Sequence, residues 1–182
     1  SIFKEVKNSM IEKNLILNEG TLVDATLIHS SEPKRKKDEN GKTISNKAND
    51  EDASYTSKRG RKHHGYKIHI ATDTNSIIKE IITTTAKTHD STQFDELIKD
   101  ETKAVFADSG YMSQNRKREL RAKGIFNGIT ERRVRGQSKL RVKQSKNNTK
   151  FSKVRALVEL PFAFIKKLMK YTETKYLGLH KN

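Results

Sequence analysis

The sequence predicts an α/β domain built on a mixed five-stranded sheet with flanking helices. Three observations carry that reading. Five short runs are β-branched or alternate with period two, segments of helical spacing separate the later ones, and Gly, Asn, Asp and Ser mark most boundaries. The 182 residues fit a single domain over 1–182. Hydrophobic content of 32% against 33% charged makes the core modest and implies solvated excursions.

The elements follow in order. Ile2, Phe3, Val6, Met10 and Ile11 share one face of an amphipathic helix over residues 2–16. After Gly20, Thr21-Leu-Val-Asp24-Ala-Thr-Leu-Ile28 reads as the first strand, with an aspartate where strand patterning would not ask for one. Residues 29–64 turn polar and basic and read as a long flexible loop. Gly65-Tyr-Lys-Ile-His-Ile-Ala-Thr72 alternates, Asp73-Thr-Asn-Ser76 turns, and Ile77-Ile-Lys-Glu-Ile-Ile-Thr-Thr84 returns as the other arm of an antiparallel hairpin. Asp90, with Gln93 three positions on, reads as the N-cap and capping-box partner of a short helix to about residue 100. Lys103-Ala-Val-Phe-Ala107 is a short buried-type strand that delivers Asp108 to its C-terminal end. Ser113 caps a basic helix to about Lys123, Gly124 ends it, and residues 125–130 form the fifth strand. A basic linker at about 131–150 leads into the last helix. The order strand, strand, strand, helix, strand, helix, strand, helix is RNase H-like.

The net charge of +16 is unevenly placed. Residues 116–155 hold fifteen Lys and Arg, with Arg132, Arg133 and Arg135 among them, against Glu119 and Glu131. Two smaller clusters are Lys34-Arg-Lys-Lys37 and Lys58-Arg-Gly-Arg-Lys62. Such density repels itself unless a polyanion neutralises it, and phosphate backbones are the commonest such partner. A merely solvated basic face is the plainer alternative. Zero cysteines exclude disulfides, thiolate metal sites and cysteine nucleophiles. No apolar run approaches membrane-spanning length and no signal-peptide pattern opens the chain, so a soluble cytoplasmic protein without membrane partners is expected. The first residue is Ser1, not Met, so a fragment or processed product is expected. Neither a P-loop nor a nucleophile elbow is present.

Three carboxylates occupy telling positions: Asp24 within the first strand, Asp108 at the end of the fourth, and Glu159 on the last helix. At 100° per residue Arg155, Glu159 and Lys166 fall on one narrow stripe of that otherwise apolar helix. Phosphodiester cleavage with two Mg²⁺ ions needs hard oxygen ligands on rigid elements, the metals roughly 3.5 to 4 Å apart. Aspartates on neighbouring strands and a glutamate on an abutting helix can supply them. Each also has a plain reading, Asp24 and Asp108 as turn or cap residues and Glu159 as an ion-pair partner. Pro161 should kink the helix just after Glu159. His63, His64, His69 and His89 lack a paired ligand spacing and read as structural.

Gly20-Thr-Leu-Val-Asp24, Gly65-Tyr-Lys-Ile-His69, Thr88-His-Asp-Ser91, Ala107-Asp-Ser-Gly-Tyr111 and Val158-Glu-Leu-Pro-Phe162 resemble, in order, the motif blocks of DDE transposases of bacterial insertion sequences, specifically the insertion sequence five family. Arg155, Glu159 and Lys166 resemble the last three letters of its YREK signature, whose tyrosine falls here on Ser152, with Phe151 adjacent. The resemblance implies that Asp24, Asp108 and Glu159 are catalytic ligands of Mg²⁺ or Mn²⁺, two ions in number, and that Arg155 and Lys166 contact the DNA backbone or position Glu159. It implies a DNA transposase that hydrolyses a phosphodiester at a transposon end and joins the freed 3′-hydroxyl to target DNA. Double-stranded DNA is the partner, in the bacterial nucleoid, with a homodimer on DNA as a further expectation. Family members are usually longer at the N-terminus, which makes this chain resemble a truncated catalytic core. Two rivals stand beside it: an inactive truncated fragment that only binds DNA, and another RNase H-like nuclease.

Overall fold

A computed structural model describes residues 2–32, 36–44, 50–58, 60–98, 102–133 and 135–181. Its strands are β1 (Thr21–His29), β2 (Lys36–Lys37), β3 (Thr43–Ile44), β4 (Ser54–Lys58), β5 (Arg61–Thr72), β6 (Ile78–Thr85), β7 (Ala104–Phe106) and β8 (Phe126–Asn127). The helices are α1 (Ile2–Glu12), α2 (Phe94–Leu97), α3 (Gln114–Ala122), α4 (Val142–Arg155) and α5 (Glu159–Ala163). None of the helices is long and apolar enough to cross a membrane, among the described residues.

β1 is the centre of the sheet. It runs antiparallel to β5 from Leu22↔Thr72 to His29↔Gly65 and parallel to β7 at Thr21↔Val105 and Leu22↔Phe106. β6 lies antiparallel on β5, and β8 lies parallel on β7, which gives the order β6-β5-β1-β7-β8. All five expected strands form, and the mixed RNase H-like arrangement holds.

The stretch expected as a loop carries more order than its composition suggests. β4 pairs with residues 61–65 of β5 as a sixth strand, and β2 and β3 make a two-residue ladder of their own. The reason is local pairing: Ser54, Tyr55 and Thr56 are strand formers, and Gly60, at φ 76°, closes the tight turn back into β5. Of the basic clusters, residues 34, 35 and 59 lie outside the described residues. So does the expected end of the helix after residue 90, which runs as α2 to Leu97. Its N-cap is not Asp90: His89 Nδ1 accepts from the Ser91 amide at 3.3 Å, and Asp90 lies 2.9 Å from Lys67 Nζ instead.

The sheet buries two faces, and strand alternation decides which residue goes where. Val23, Ala71, Val105 and Ala107 pack with Phe94, Leu97, Tyr111, Leu120 and Ile129 under α2 and α3. Leu22, Ile28, Ile68 and Ile70 pack with Val158 on the opposite face, joined by Phe106, Val154 and Phe162. The last helix therefore covers the second face. It begins at Val142, so the expected linker is helical from there on. Asn148 anchors it, accepting from the Glu131 amide at 2.9 Å and donating to the Glu131 carbonyl at 2.8 Å. Gly65, at φ 147°, lies so close to β1 that a Cβ would meet the Ile28 carbonyl oxygen at 2.2 Å, which only glycine tolerates.

The C-terminal segment is tied down through a buried carboxylate. Asp50 accepts from Tyr66 Oη at 2.6 Å, Ser30 Oγ at 3.0 Å and the Gly178 amide at 3.1 Å, while His29 exchanges backbone hydrogen bonds with Thr172 and Thr174. Burial pushes the Asp50 carboxyl up, but the bonds from Tyr66, Ser30, Gly178 and Ala53 outweigh it and hold its pKa below the ordinary carboxylate value. A depressed folded pKa gives stability that is present above the unfolded value and lost as pH falls through the folded one. Asp50→Asn is therefore expected to destabilise the fold by ~1–3 kcal/mol at pH 7. Urea melts at pH 7 and pH 3 check this; the gap to wild type should narrow at the lower pH.

Candidate active site

Asp24 and Asp108 reach one place by pairing and parity. Leu22 is opposite Phe106 in the parallel β1–β7 ladder, and both side chains face the last helix. Two residues on, strand alternation sends Asp24 and Asp108 to that same face. Their charges act on each other: Asp108 is among the causes that raise the Asp24 pKa. Asp108 leaves β7 into a turn of residues 109–111, where its Oδ1 accepts from the Gly110 amide at 2.7 Å. This fixes one carboxylate oxygen and leaves the other for a ligand.

Asp24 is paired already. Arg155 Nη1 donates to its Oδ2 at 2.8 Å, and its Oδ1 accepts from the Ala25 amide at 2.8 Å. Burial still raises its pKa above the ordinary carboxylate value, with Asp108 adding to the rise and Ala25, Arg155 and Lys58 opposing it. The site as a whole thus disfavours a second negative charge at Asp24.

Glu159 does not join them. It is exposed, and it is not among the largest influences on Asp24. No group of three His, Cys, Asp or Glu side chains is gathered as a metal site among the described residues. The single stripe expected for Arg155, Glu159 and Lys166 is broken for a reason visible in the backbone. Pro161 has no amide hydrogen to give the Leu157 carbonyl, which accepts instead from Ser76 Oγ at 2.9 Å. Around that point the helix tightens to a 3₁₀ turn over Ala156–Val158, then runs as α5, then loosens to a π turn over Phe164–Leu168. Three residues at about 120° each, rather than 100°, carry Glu159 roughly 60° further round than Arg155 requires. Arg155 therefore meets Asp24 while Glu159 looks out to solvent.

Lys166 is half-buried on the π turn, and its pKa is lowered first by burial and then by Lys58. Lys58 stands at the end of β4 and acts on Asp24 as well. Lys58 thus links Lys166 and Asp24 electrostatically. Composition marked Lys58 as part of a basic cluster without assigning it here; the β4–β5 hairpin brings it in. Phe151 is not available to replace the missing tyrosine, since it packs edge-on against Phe106 and Phe126, and Ser152 is exposed. Arg132, Arg133 and Arg135 are exposed on the segment before α4, away from the sheet core, with Arg133 donating to the Ser138 carbonyl. His69 is buried and neutral, its pKa lowered to about 4 by burial, and its Nε2 lies 2.8 Å from Thr84 Oγ1.

Residues 17–182 match the family model described as Transposase DDE domain, and the chain belongs to that family. No solved structure matches it.

The raised pKa of Asp24 has a definite stability consequence. A carboxylate raised in the folded state penalises folding above its folded pKa, and the penalty disappears as pH falls below the unfolded value near 3.9. Without added metal, Asp24→Asn is expected to be neutral to stabilising at pH 7, whereas Arg155→Ala destabilises and lifts the Asp24 pKa further. Carboxyl-carbon NMR titrations and thermal melts test this. An Asp24 that titrates below 3.9, with a destabilised Asp24→Asn, would contradict the burial argument.

Proposed function

We propose that this member of the Transposase DDE domain family is the catalytic domain of an insertion-sequence transposase of the insertion sequence five type, cutting DNA at a transposon end and joining it to target DNA in the bacterial cytoplasm. The observation that carries the proposal is the meeting of Asp24 and Asp108 on one sheet face beneath Arg155, with Lys58 acting on both Asp24 and Lys166. The donor set fits a hard divalent cation, because it offers carboxylate oxygens, and Asp24, raised by burial and by the nearby Asp108, gains from added positive charge. Asp24 and Asp108 would hold it, and Glu159 would complete the set from α5. A bound Mg²⁺ or Mn²⁺ supplies Lewis-acid stabilisation of the phosphoryl oxygens and activates an oxygen nucleophile.

The chain's own residues do the rest. β1 holds Asp24 within a rigid strand, and Asp108, two residues past the end of β7, is fixed by the Gly110 amide that caps the following turn. Arg155 holds Asp24 in the absence of other cations, and its fork is free for a phosphate oxygen once Asp24 has another partner. Lys58 and Lys166 hold the strand that enters the site. The exposed Arg132, Arg133 and Arg135 grip the backbone further along without reading sequence.

A second reading has its own support: with Ser152 at the tyrosine position and Arg155 seated on Asp24, the chain could bind DNA without cutting it. Cleavage assays on a duplex bearing the element's own end separate the two. Asp24→Ala and Asp108→Ala are expected to reduce Mg²⁺-dependent nicking more than about a hundredfold, beyond what removing a residue behind the ligands costs, with duplex affinity kept. Glu159→Gln should abolish nicking too while leaving the melting temperature without metal close to wild type, as exposed substitutions stay within ~0.5 kcal/mol. Nicking that survives in the two Asp variants, or is absent from wild type under every divalent metal, would favour the binding-only reading.

In a separate measurement, replacing Arg132, Arg133 and Arg135 with Ala should lower duplex affinity at all sequences alike. It should also flatten the log–log salt slope by up to about 0.9 for each phosphate that is no longer neutralised. A slope identical to wild type would remove these three from the interface.

A further inference from the structure

α4 is a helix with cations but no acids. Val142–Arg155 contains Lys143, Lys146, Lys150, Lys153 and Arg155, and no Asp or Glu. No residue of it is fully buried, and the four lysines are all exposed. Among the described residues none of the four is ion-paired. Projected at 100° per residue they fall within an arc of about 80°, spread over about 15 Å of helix axis. Arg155, on the same unbroken helix, lies about 120° or more round from that arc, and it is Arg155 that faces Asp24. The lysine ridge therefore points away from the carboxylate site.

Alongside the ridge runs a groove of about 650 Å³ between α3, β8 and α4. Lys143 and Lys150 line its near wall and Lys117 its far wall, with the half-exposed Phe126 ring at its floor. Phe151 and Val154 pack inward near its C-terminal end, but the lysine flank has nothing apolar to bury and no acids on the helix to balance its cations. Four like charges on one stripe at about one-turn spacing repel one another, and that cost is removed by a polyanion whose charges recur at similar intervals. A duplex presents one phosphate per ~3.4 Å of axis on each strand, so a 15 Å ridge spans about four.

We infer that the outward flank of α4, turned away from the carboxylates that the same helix covers, is a second duplex-binding surface, which holds a DNA segment other than the one being cut. The inference rests on the DNA reading above. Its chemistry is backbone-directed: the lysines neutralise phosphates, while Asn147 and Thr149 can reach groove edges between them. A domain with two such surfaces can hold two duplexes at once, as any reaction that joins one DNA to another requires.

Native mass spectrometry of the full chain with a duplex of about 14 base pairs, roughly 48 Å at ~3.4 Å per pair, counts duplexes per chain at low salt. Wild type is expected to reach two. K143Q/K146Q/K150Q/K153Q is expected to stop at one, with the salt slope of total binding reduced by about 3.6, at ~0.9 per phosphate. K4Q/K13Q/K62Q/K181Q removes the same charge from exposed positions elsewhere and should still reach two. If the quadruple ridge variant melts early, the doubles K143Q/K150Q and K146Q/K153Q read the same loss, each weakening the second binding at least tenfold. A wild type that saturates at one duplex, a ridge variant that still takes two, or a control that loses the second duplex equally would overturn the second surface while leaving the DNA reading intact. A wild type that binds no duplex would remove both.

Discussion

The ion pair between Arg155 and Asp24 organises this molecule. It is the polar contact that joins the middle of the central strand to the helix covering it, 131 positions later in the chain. Everything apolar around it serves the same docking: Val158 sits one turn beyond Arg155 and is fully buried against Leu22, Ile28, Ile68 and Ile70. A half-buried pair of this kind is not a large source of stability, because desolvation offsets much of the attraction. Its importance is that Asp24 cannot be left alone. With Asp108 on the same face, an unpartnered Asp24 would combine a burial cost with a like-charge repulsion. The fold therefore requires a cation at Asp24, and Arg155 supplies it; under the function proposed above, a divalent metal would compete for that place.

The helix that supplies Arg155 is built to change direction. Pro161 frees the Leu157 carbonyl, the tip of the β5–β6 hairpin satisfies it through Ser76, and three different helical pitches follow one another within thirteen residues, 156–168. This sets the azimuth of each functional side chain separately. Arg155 and Val158 are docked on the sheet; Glu159 and Lys166 are not docked in the same way. A modest rotation of α5 about its axis would turn Glu159 toward the aspartates, and such irregular turns are common at functional positions for that reason. Under the proposed function Asp24, Asp108 and Glu159 would hold the metal, and Arg155 would then be available to a phosphate oxygen.

Much of this is legible in the sequence because it depends on local rules. The alternation of 65–72, the turn at Asp73 and the strand-borne Asp24 and Asp108 follow from period two and from turn chemistry, and they place both aspartates. Ser113 caps its helix through the Arg116 amide as its spacing predicts. What could not be read depends on partners remote in sequence. The β4 strand is the exception, a local hairpin with β5 that goes unsignalled because it is polar on both faces. The helix at 142–150 has no apolar periodicity and is held by Asn148 and Glu131, which no helical pattern signals. The stripe of Arg155, Glu159 and Lys166 fails because a uniform 100° does not hold across a proline, and Pro161 marks the kink without giving its phase. Asp50 is inconspicuous inside a polar stretch, since only the fold shows it bonded to Tyr66, Ser30 and Gly178.

A catalytic role for this domain requires Asp24, Asp108 and Glu159 to come together around a divalent cation at the face now held by Arg155. Paramagnetic broadening of backbone amide resonances by substoichiometric Mn²⁺ tests it most directly. Amides near Asp24, Asp108 and Glu159 should broaden first and together, with the Arg155 side-chain resonance shifting in the diamagnetic Mg²⁺ counterpart. Broadening centred on Asp50 and Asp52, or confined to Asp24 and Asp108 with Glu159 unaffected at saturation, would contradict it.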